Sequence, residues 1–179
     1  MGFVSILPPI KLVSGDIATT ADSWAAGQNP PNVAGAIAFF KTSTDKWSLV
    51  KYYQANASIL QGIGLVRPVA ATAGYVLTTA ATTDVNSFAL KGIAAANVSN
   101  TGYFSFAYIG GYCPNIIFGS AASGVLHGLS GSVAGNFTQY SSAGSTIAIN
   151  TRPFFFPVTA FDVTVAGTAA SGWISPILM

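Results

Sequence analysis

The sequence predicts an all-β protein: a small antiparallel β-barrel or sandwich with an extended N-terminal arm. Three observations carry this. Only 7% of the 179 residues are charged, and none is Glu, a good helix former common on exposed helix faces. Apolar and aromatic runs are short and broken by turn residues, with 19 Gly and 9 Pro in the chain. Where a run is long enough to show a period, the period is two, and no helical pattern reaches eight residues.

Taken in order, residues 1–32 form the arm. Pro8, Pro9, Pro30 and Pro31 bracket it, and Trp24 is its large anchor. Residues 33–179 form one domain. "AIAFFK" (36–41) and "WSLVKYY" (47–53) flank a short polar turn and read as a hairpin. In the second run Trp47, Leu49, Lys51 and Tyr53 share one face, and Ser48, Val50 and Tyr52 share the other. Neither face is purely polar, which predicts cover on both sides.

Two similar units follow. "GIGLVRPVAATAGYVLTTA" (62–80) and "GIAAANVSNTGYFSFAYIGG" (92–111) both open on Gly-Ile and reach Gly-Tyr about a dozen residues later. Strands are expected at 62–66, 75–79, 88–94 and 103–109. In the last, Phe104, Phe106 and Tyr108 make an aromatic stripe at period two, expected in core or interface. Residues 110–145 are dense in glycine and are expected to turn sharply between short strands such as 115–118 and 125–129. Further strands are expected at 146–149, 153–156, 161–167 and 172–174.

Chemistry is hard to find. The lone His127 has Ser123 and Ser130 near it, but no acid lies between Asp84 and Asp162, so a Ser-His-Asp arrangement has no local support. One His, one Cys and five scattered Asp give no metal-ligand spacing. "GIGLV" lacks the third glycine of a dinucleotide loop. Cys113 sits in an apolar context and is expected to be a buried, inert thiol. The five Lys and two Arg are dispersed, which argues against nucleic acid as a partner. No run approaches the roughly 20 apolar residues of a spanning helix. The first residues lack a secretory pattern, so synthesis in a cytoplasm is expected. The expectation is a non-enzymatic chain with no cofactor and no metal. A protein with so little charge hides its apolar surface against partners.

A set of residues follows in order along the chain: Gly35, Phe39, Asp45, Lys46 and Trp47 in the hairpin, then Gly62, Ile63, Gly64 and Gly74. Gly92, Ile93, Ala94, Gly102, Tyr103 and Gly111 complete the pattern, within residues 33–131. In these residues the chain resembles the small β-barrel decoration (cement) proteins of tailed-bacteriophage capsids. The resemblance implies a structural virion protein on the outer face of the phage head, binding the major capsid protein and itself, as a homotrimer that clamps neighbouring capsomers. Clamping is mass action: whatever binds the lattice but not its separated parts stabilises the lattice. The contacts expected for this role are Phe3, Ile6, Leu7 and Trp24 in the arm, and Phe154, Phe155 and Phe156 in "RPFFFP". Another virion part is the alternative: a head fibre, a tail or baseplate β-domain, or a glycan-binding tip using Tyr52, Tyr53 and Tyr140. A small hydrolase requires His127 to meet Asp162.

Overall fold

A computed structural model describes residues 32–41, 45–81, 90–118, 122–124, 127–129, 134–139, 155–157, 161–163 and 169–174. Every regular element among them is a strand. They are β1 (Ile37–Lys41), β2 (Trp47–Ala55), β3 (Gly64–Val66), β4 (Val76–Thr79), β5 (Leu90–Ala94) and β6 (Phe104–Ile117). β7 (Ala122–Gly124), β8 (His127–Leu129), β9 (Phe137–Gln139), β10 (Phe155–Pro157), β11 (Phe161–Val163) and β12 (Ala169–Ile174) follow. Residues 1–31 and 140–154 lie outside the described residues, so the arm and the strand expected at 146–149 are not described.

Ten strands join one sheet in the order β1-β2-β4-β3-β5-β6-β12-β10-β8-β9, and β7 pairs with β11 separately. β2 also pairs with β6, so the pairings run in a cycle: β2, β4, β3, β5, β6 and back to β2. The antiparallel expectation needs one correction, because β2 and β4 are parallel, through Gln54↔Val76 and Ala55↔Leu77. Each antiparallel step reverses direction, and a return to β2 must restore it. A cycle of five pairings therefore needs an odd number of parallel steps, and β2–β4 is the one.

Alternation along these strands divides the apolar residues between two cores. Tyr53 and Ala55 from β2, Leu65 from β3, Leu77 from β4, Ala94 from β5 and Ala107 from β6 all belong to one core, so every strand of the cycle contributes to it. The other core collects Val50, Tyr52, Ile93, Phe106 and Tyr108, with Phe137 and Ile174 arriving from β9 and β12. The expected aromatic stripe thus lies in a core, with Phe104 partly buried at its edge. Cover on both faces of β2 is likewise borne out at Tyr52 and Tyr53, each 0% exposed.

β6 departs from expectation. Gly110 and Gly111 do not turn the chain; the strand runs through them to Ile117. Two irregularities make this workable. Leu49↔Gly110 is followed by Val50↔Tyr108, which leaves Ile109 as an extra residue on β6. Further on, Ala170↔Ile116 is followed by Gly172↔Cys113, which sets Pro114 inside an irregular step. A proline has no amide to give a ladder, and a bulge is where a strand tolerates one.

The two similar units are neighbours on the sheet. Gly64 lies opposite Ile93 and Leu65 opposite Gly92, so the Gly-Ile step of the second unit faces Gly64-Leu65 of the first. Successive β2 amides then take one unit each: Gln54 N–H donates to Tyr75 O at 2.9 Å, and Ala55 N–H to Tyr103 O at 2.7 Å. The backbone repeat, however, has a different register. The Ile59 and Val98 amides donate to each other's carbonyls, both at 2.8 Å. Gly62 N–H donates to Ala94 O as Gly102 N–H donates to Ala55 O, and Ala94 N–H to Ile63 O as Ala55 N–H to Tyr103 O. Even side chains follow: Gln61 Nε2 donates to Ala95 O, and Thr101 Oγ1 to Asn56 O. β2–β3 and β5–β6 are therefore equivalent units about a local two-fold. Both connections reach a glycine at positive φ, Gly62 at 81° and Gly102 at 84°.

Candidate functional site

The most prominent exposed feature of the described residues is a row of aromatic side chains on one face of β1, β2, β6 and β12. Register places it. Gly111 of β6 pairs with Ser48 on one side and with Ile174 on the other. One residue along, Tyr112 pairs with Trp173, and Trp47 is the next residue of β2. These three share a face, opposite the one where Ile174 enters a core. Phe39 joins from β1, because it pairs with Leu49, two residues from Trp47.

This face is covered at one end and open at the other. Toward Tyr53 it is the core fed by all five strands of the cycle. Toward Trp47 that cover stops: Phe39 is 75% exposed, Trp47 52% and Trp173 43%. Tyr112 is buried between its neighbours. Its ring meets the Trp173 ring edge-on, with centroids 5.8 Å apart, and the Lys46 ammonium sits 4.2 Å from its centroid. Such contacts fix ring orientation, each contributing about 1 kcal/mol. Ser48 Oγ donates to the Tyr112 carbonyl, pinning β2 to β6 below the row.

The residues expected to make contacts fall as follows. Phe3, Ile6, Leu7, Trp24 and Phe154 lie outside the described residues. Phe155 and Phe156 are in β10, where Phe156 is the ladder partner of Trp173. β10 therefore continues the strand series that carries the row. Tyr52 and Tyr53 are removed as glycan contacts, since both are fully buried. The cover expected on both faces of β2 is what removes them. Tyr140 is not described. For the hydrolase reading, Asp162 pairs with Ser123 in the two-stranded sheet, whereas His127 pairs with Phe155 and Gln139 in the large one. The row itself escaped sequence reading. Its residue types were visible, but the bulge at Ile109 that sets the register of Tyr112 was not.

A second feature is a shallow depression of about 500 Å³ at the local two-fold, lined by Ser58, Ile59, Leu60, Asn97, Val98 and Tyr103 among others. Asn97 in its lining is engaged in structure, since its Oδ1 accepts from the Gln61 amide at 2.8 Å. Among the described residues no three metal-ligating groups come together. No helix of the described residues is long and apolar enough to cross a membrane. Lys51 donates from Nζ to Gly74 O at 2.9 Å, and burial, then the Lys91 charge, holds its pKa below the usual lysine value.

Cys113 is buried in a core, and burial pushes its thiol from an ordinary 9.0 up to about 12. A thiol reagent at pH 8 should leave the native chain unmodified and react once denaturant is added; rapid native labelling would contradict this. The shift also has a stability sign. The folded state holds the proton more tightly than the unfolded one. Its contribution is complete below about 9 and is lost as pH rises toward about 12. Tyr53, raised above its ordinary 10.0 by burial, acts in the same direction. Urea midpoints should therefore fall on the alkaline side of pH 9.

No protein-family model matches the chain, and no curated protein matches it.

Proposed function

We propose that the chain is a structural virion protein, a decoration protein that binds the outer face of a phage head and clamps neighbouring capsomers. The observation that carries this is the row of Phe39, Trp47, Tyr112 and Trp173, built on a strand body whose opposite face is a packed core. Exposed tryptophans held in place by neighbours are the residue type that anchors protein interfaces. The five-strand cycle sharing one core supports a small barrel, with residues 1–32 as an arm. In this reading the chain is no enzyme and has no cofactor. Its partners are the major capsid protein and two further copies of itself, not nucleic acid or a membrane. It is made in the host cytoplasm and resides on the capsid surface. The sequence resemblance supplies the capsid, and the exposed row supplies the contact.

The double variant Trp47→Ala/Trp173→Ala tests it. Co-sedimentation with undecorated heads should weaken by tenfold or more, at roughly 1–2 kcal/mol per lost anchor. Thermal stability should fall far less than binding, because both side chains are only about half buried and the Trp173–Tyr112 ring contact contributes about 1 kcal/mol. Binding to tails instead of heads would favour another virion part. A glycan-binding tip, with Asp45 and Trp47 both exposed, would instead show the loss on polysaccharide.

A further inference from the structure

Two hydroxyls lie inside the five-strand cycle without a hydrogen-bond partner. Tyr53 of β2 and Ser105 of β6 are directly opposite in the ladder, so both project from the same face. That face is the core to which every strand of the cycle contributes, Tyr53 and Ala107 among its members. Both residues are fully buried, and neither Tyr53 Oη nor Ser105 Oγ makes a hydrogen bond. A hydroxyl taken out of water without a partner is destabilising, and buried polar groups are normally satisfied by protein or by an internal water. The reason these two do not bond to each other is geometric. Tyrosine carries its hydroxyl across the length of a ring, whereas serine carries its own one bond from Cβ. On opposed residues whose Cβ atoms are about 4.5–5.5 Å apart, the oxygens stand at different heights above the sheet. One water spans up to about 5.6 Å between two hydroxyls, at roughly 2.8 Å to each.

The local two-fold shows that the fold does not itself demand this polarity. It matches Ala55 with Ala94 and Tyr103 with Ile63. Counting two residues on from these matches sets Tyr53 against Gly92 and Ser105 against Leu65. The image of the Tyr53–Ser105 pair is therefore Gly92–Leu65, also a ladder pair and without a hydroxyl. One half of the barrel closes with apolar packing, and the other places two hydroxyls at the same level. We propose that the barrel holds one internal water as a fixed ligand, bridging Tyr53 Oη and Ser105 Oγ. Each hydroxyl donates or accepts as required, so the water can donate to one and accept from the other. Two partners are the fewest that retain a buried water. On the same face Ala55 follows Tyr53 and Ala107 follows Ser105, so the side chains next to the pair are short. The bridge links β2 to β6 within the core and is independent of the capsid reading.

Magnetic relaxation dispersion of the solvent oxygen, which counts long-lived internal waters, tests this on the full chain. The double variant Tyr53→Phe/Ser105→Ala should hold one such water fewer than the parent. Tyr53→Phe alone should lower the folding equilibrium constant about fivefold or more in urea, because the water and Ser105 each lose a partner. The double variant should lose less than the two single variants together, since the water leaves with both hydroxyls. An unchanged water count would overturn the proposal, whether the hydroxyls are dry or bonded to each other. So would a Tyr53→Phe chain at least as stable as the parent, the result expected when an unpartnered hydroxyl is removed from a core.

Discussion

Gly111→Ala is expected to be among the most damaging single-methyl additions to this protein, costing about 3 kcal/mol or more. Two separate penalties meet there. Gly111 has φ +77°, a conformation that costs an L-residue roughly 1–2 kcal/mol. A Cβ at this position would stand 2.6 Å from the Trp47 carbonyl oxygen and 3.3 Å from the Ser48 Cα. Both are backbone atoms of β2, so no flexible side chain can swing aside. Relief requires β2 to move away from β6, which also disturbs the Ser48–Tyr112 hydrogen bond. A loss of about 3 kcal/mol should lower Tm by about 6–12 °C in a chain of this size. Gly74→Ala is the control: nothing lies within 4 Å of its Cβ, and its φ is not positive. It should be neutral or slightly stabilising, by up to about 1 kcal/mol, through the unfolded chain. Calorimetry on both variants checks the pair. Equal midpoints would mean that β2 does not approach Gly111 as described. Because Trp47 and Tyr112 flank the contact, Gly111→Ala should also misplace the row and weaken partner binding.

The same position shows where sequence reasoning reaches its limit. The hairpin was legible because its signals are local: aromatic and β-branched runs around a polar turn gave 36–41 and 47–53, against Ile37–Lys41 and Trp47–Ala55. β3 to β5 were legible for the same reason. Gly110-Gly111 was read as a turn, because two glycines normally punctuate a strand. Here the missing side chain of Gly111 lets the Trp47 carbonyl of β2 stand close to β6, a non-local cause that composition does not carry. The internal similarity misled in an instructive way. Side chains echo at a spacing of thirty residues, whereas the backbone hydrogen bonds repeat at about forty, linking Ala55 to Ala94 and Gly62 to Gly102. What is repeated is a pattern of amides and carbonyls, and few side-chain identities are needed to sustain it. The row was only half legible. Trp47 was placed on the correct strand face, but its grouping with Tyr112 and Trp173 depends on the Ile109 bulge and on β12 arriving from the end of the chain.

Phe106→Ala should cost about 3–5 kcal/mol, much of the roughly 5–15 kcal/mol that holds a typical domain together. Phe106 is 1% exposed, and its ring centroid lies 5.0 Å from that of Tyr52. It belongs to the core that joins β2, β5 and β6 to β9 and β12. Truncation leaves a cavity lined by parts of the chain far apart in sequence, so collapse to fill it would have to move several strands at once. The adjacent residue offers a separate test of the two-core arrangement. Ala107 points into the other core, where its Cβ would stand 2.8 Å from a Cβ on Gly92. Ala107→Leu should therefore destabilise by overpacking, roughly 1–3 kcal/mol, although it adds apolar volume. The two effects should be close to additive in the double variant, because a cavity on one side of β6 cannot receive a side chain from the other. A double variant markedly more stable than the sum predicts would mean that the introduced leucine side chain fills the space left by Phe106, and that β6 does not separate two cores.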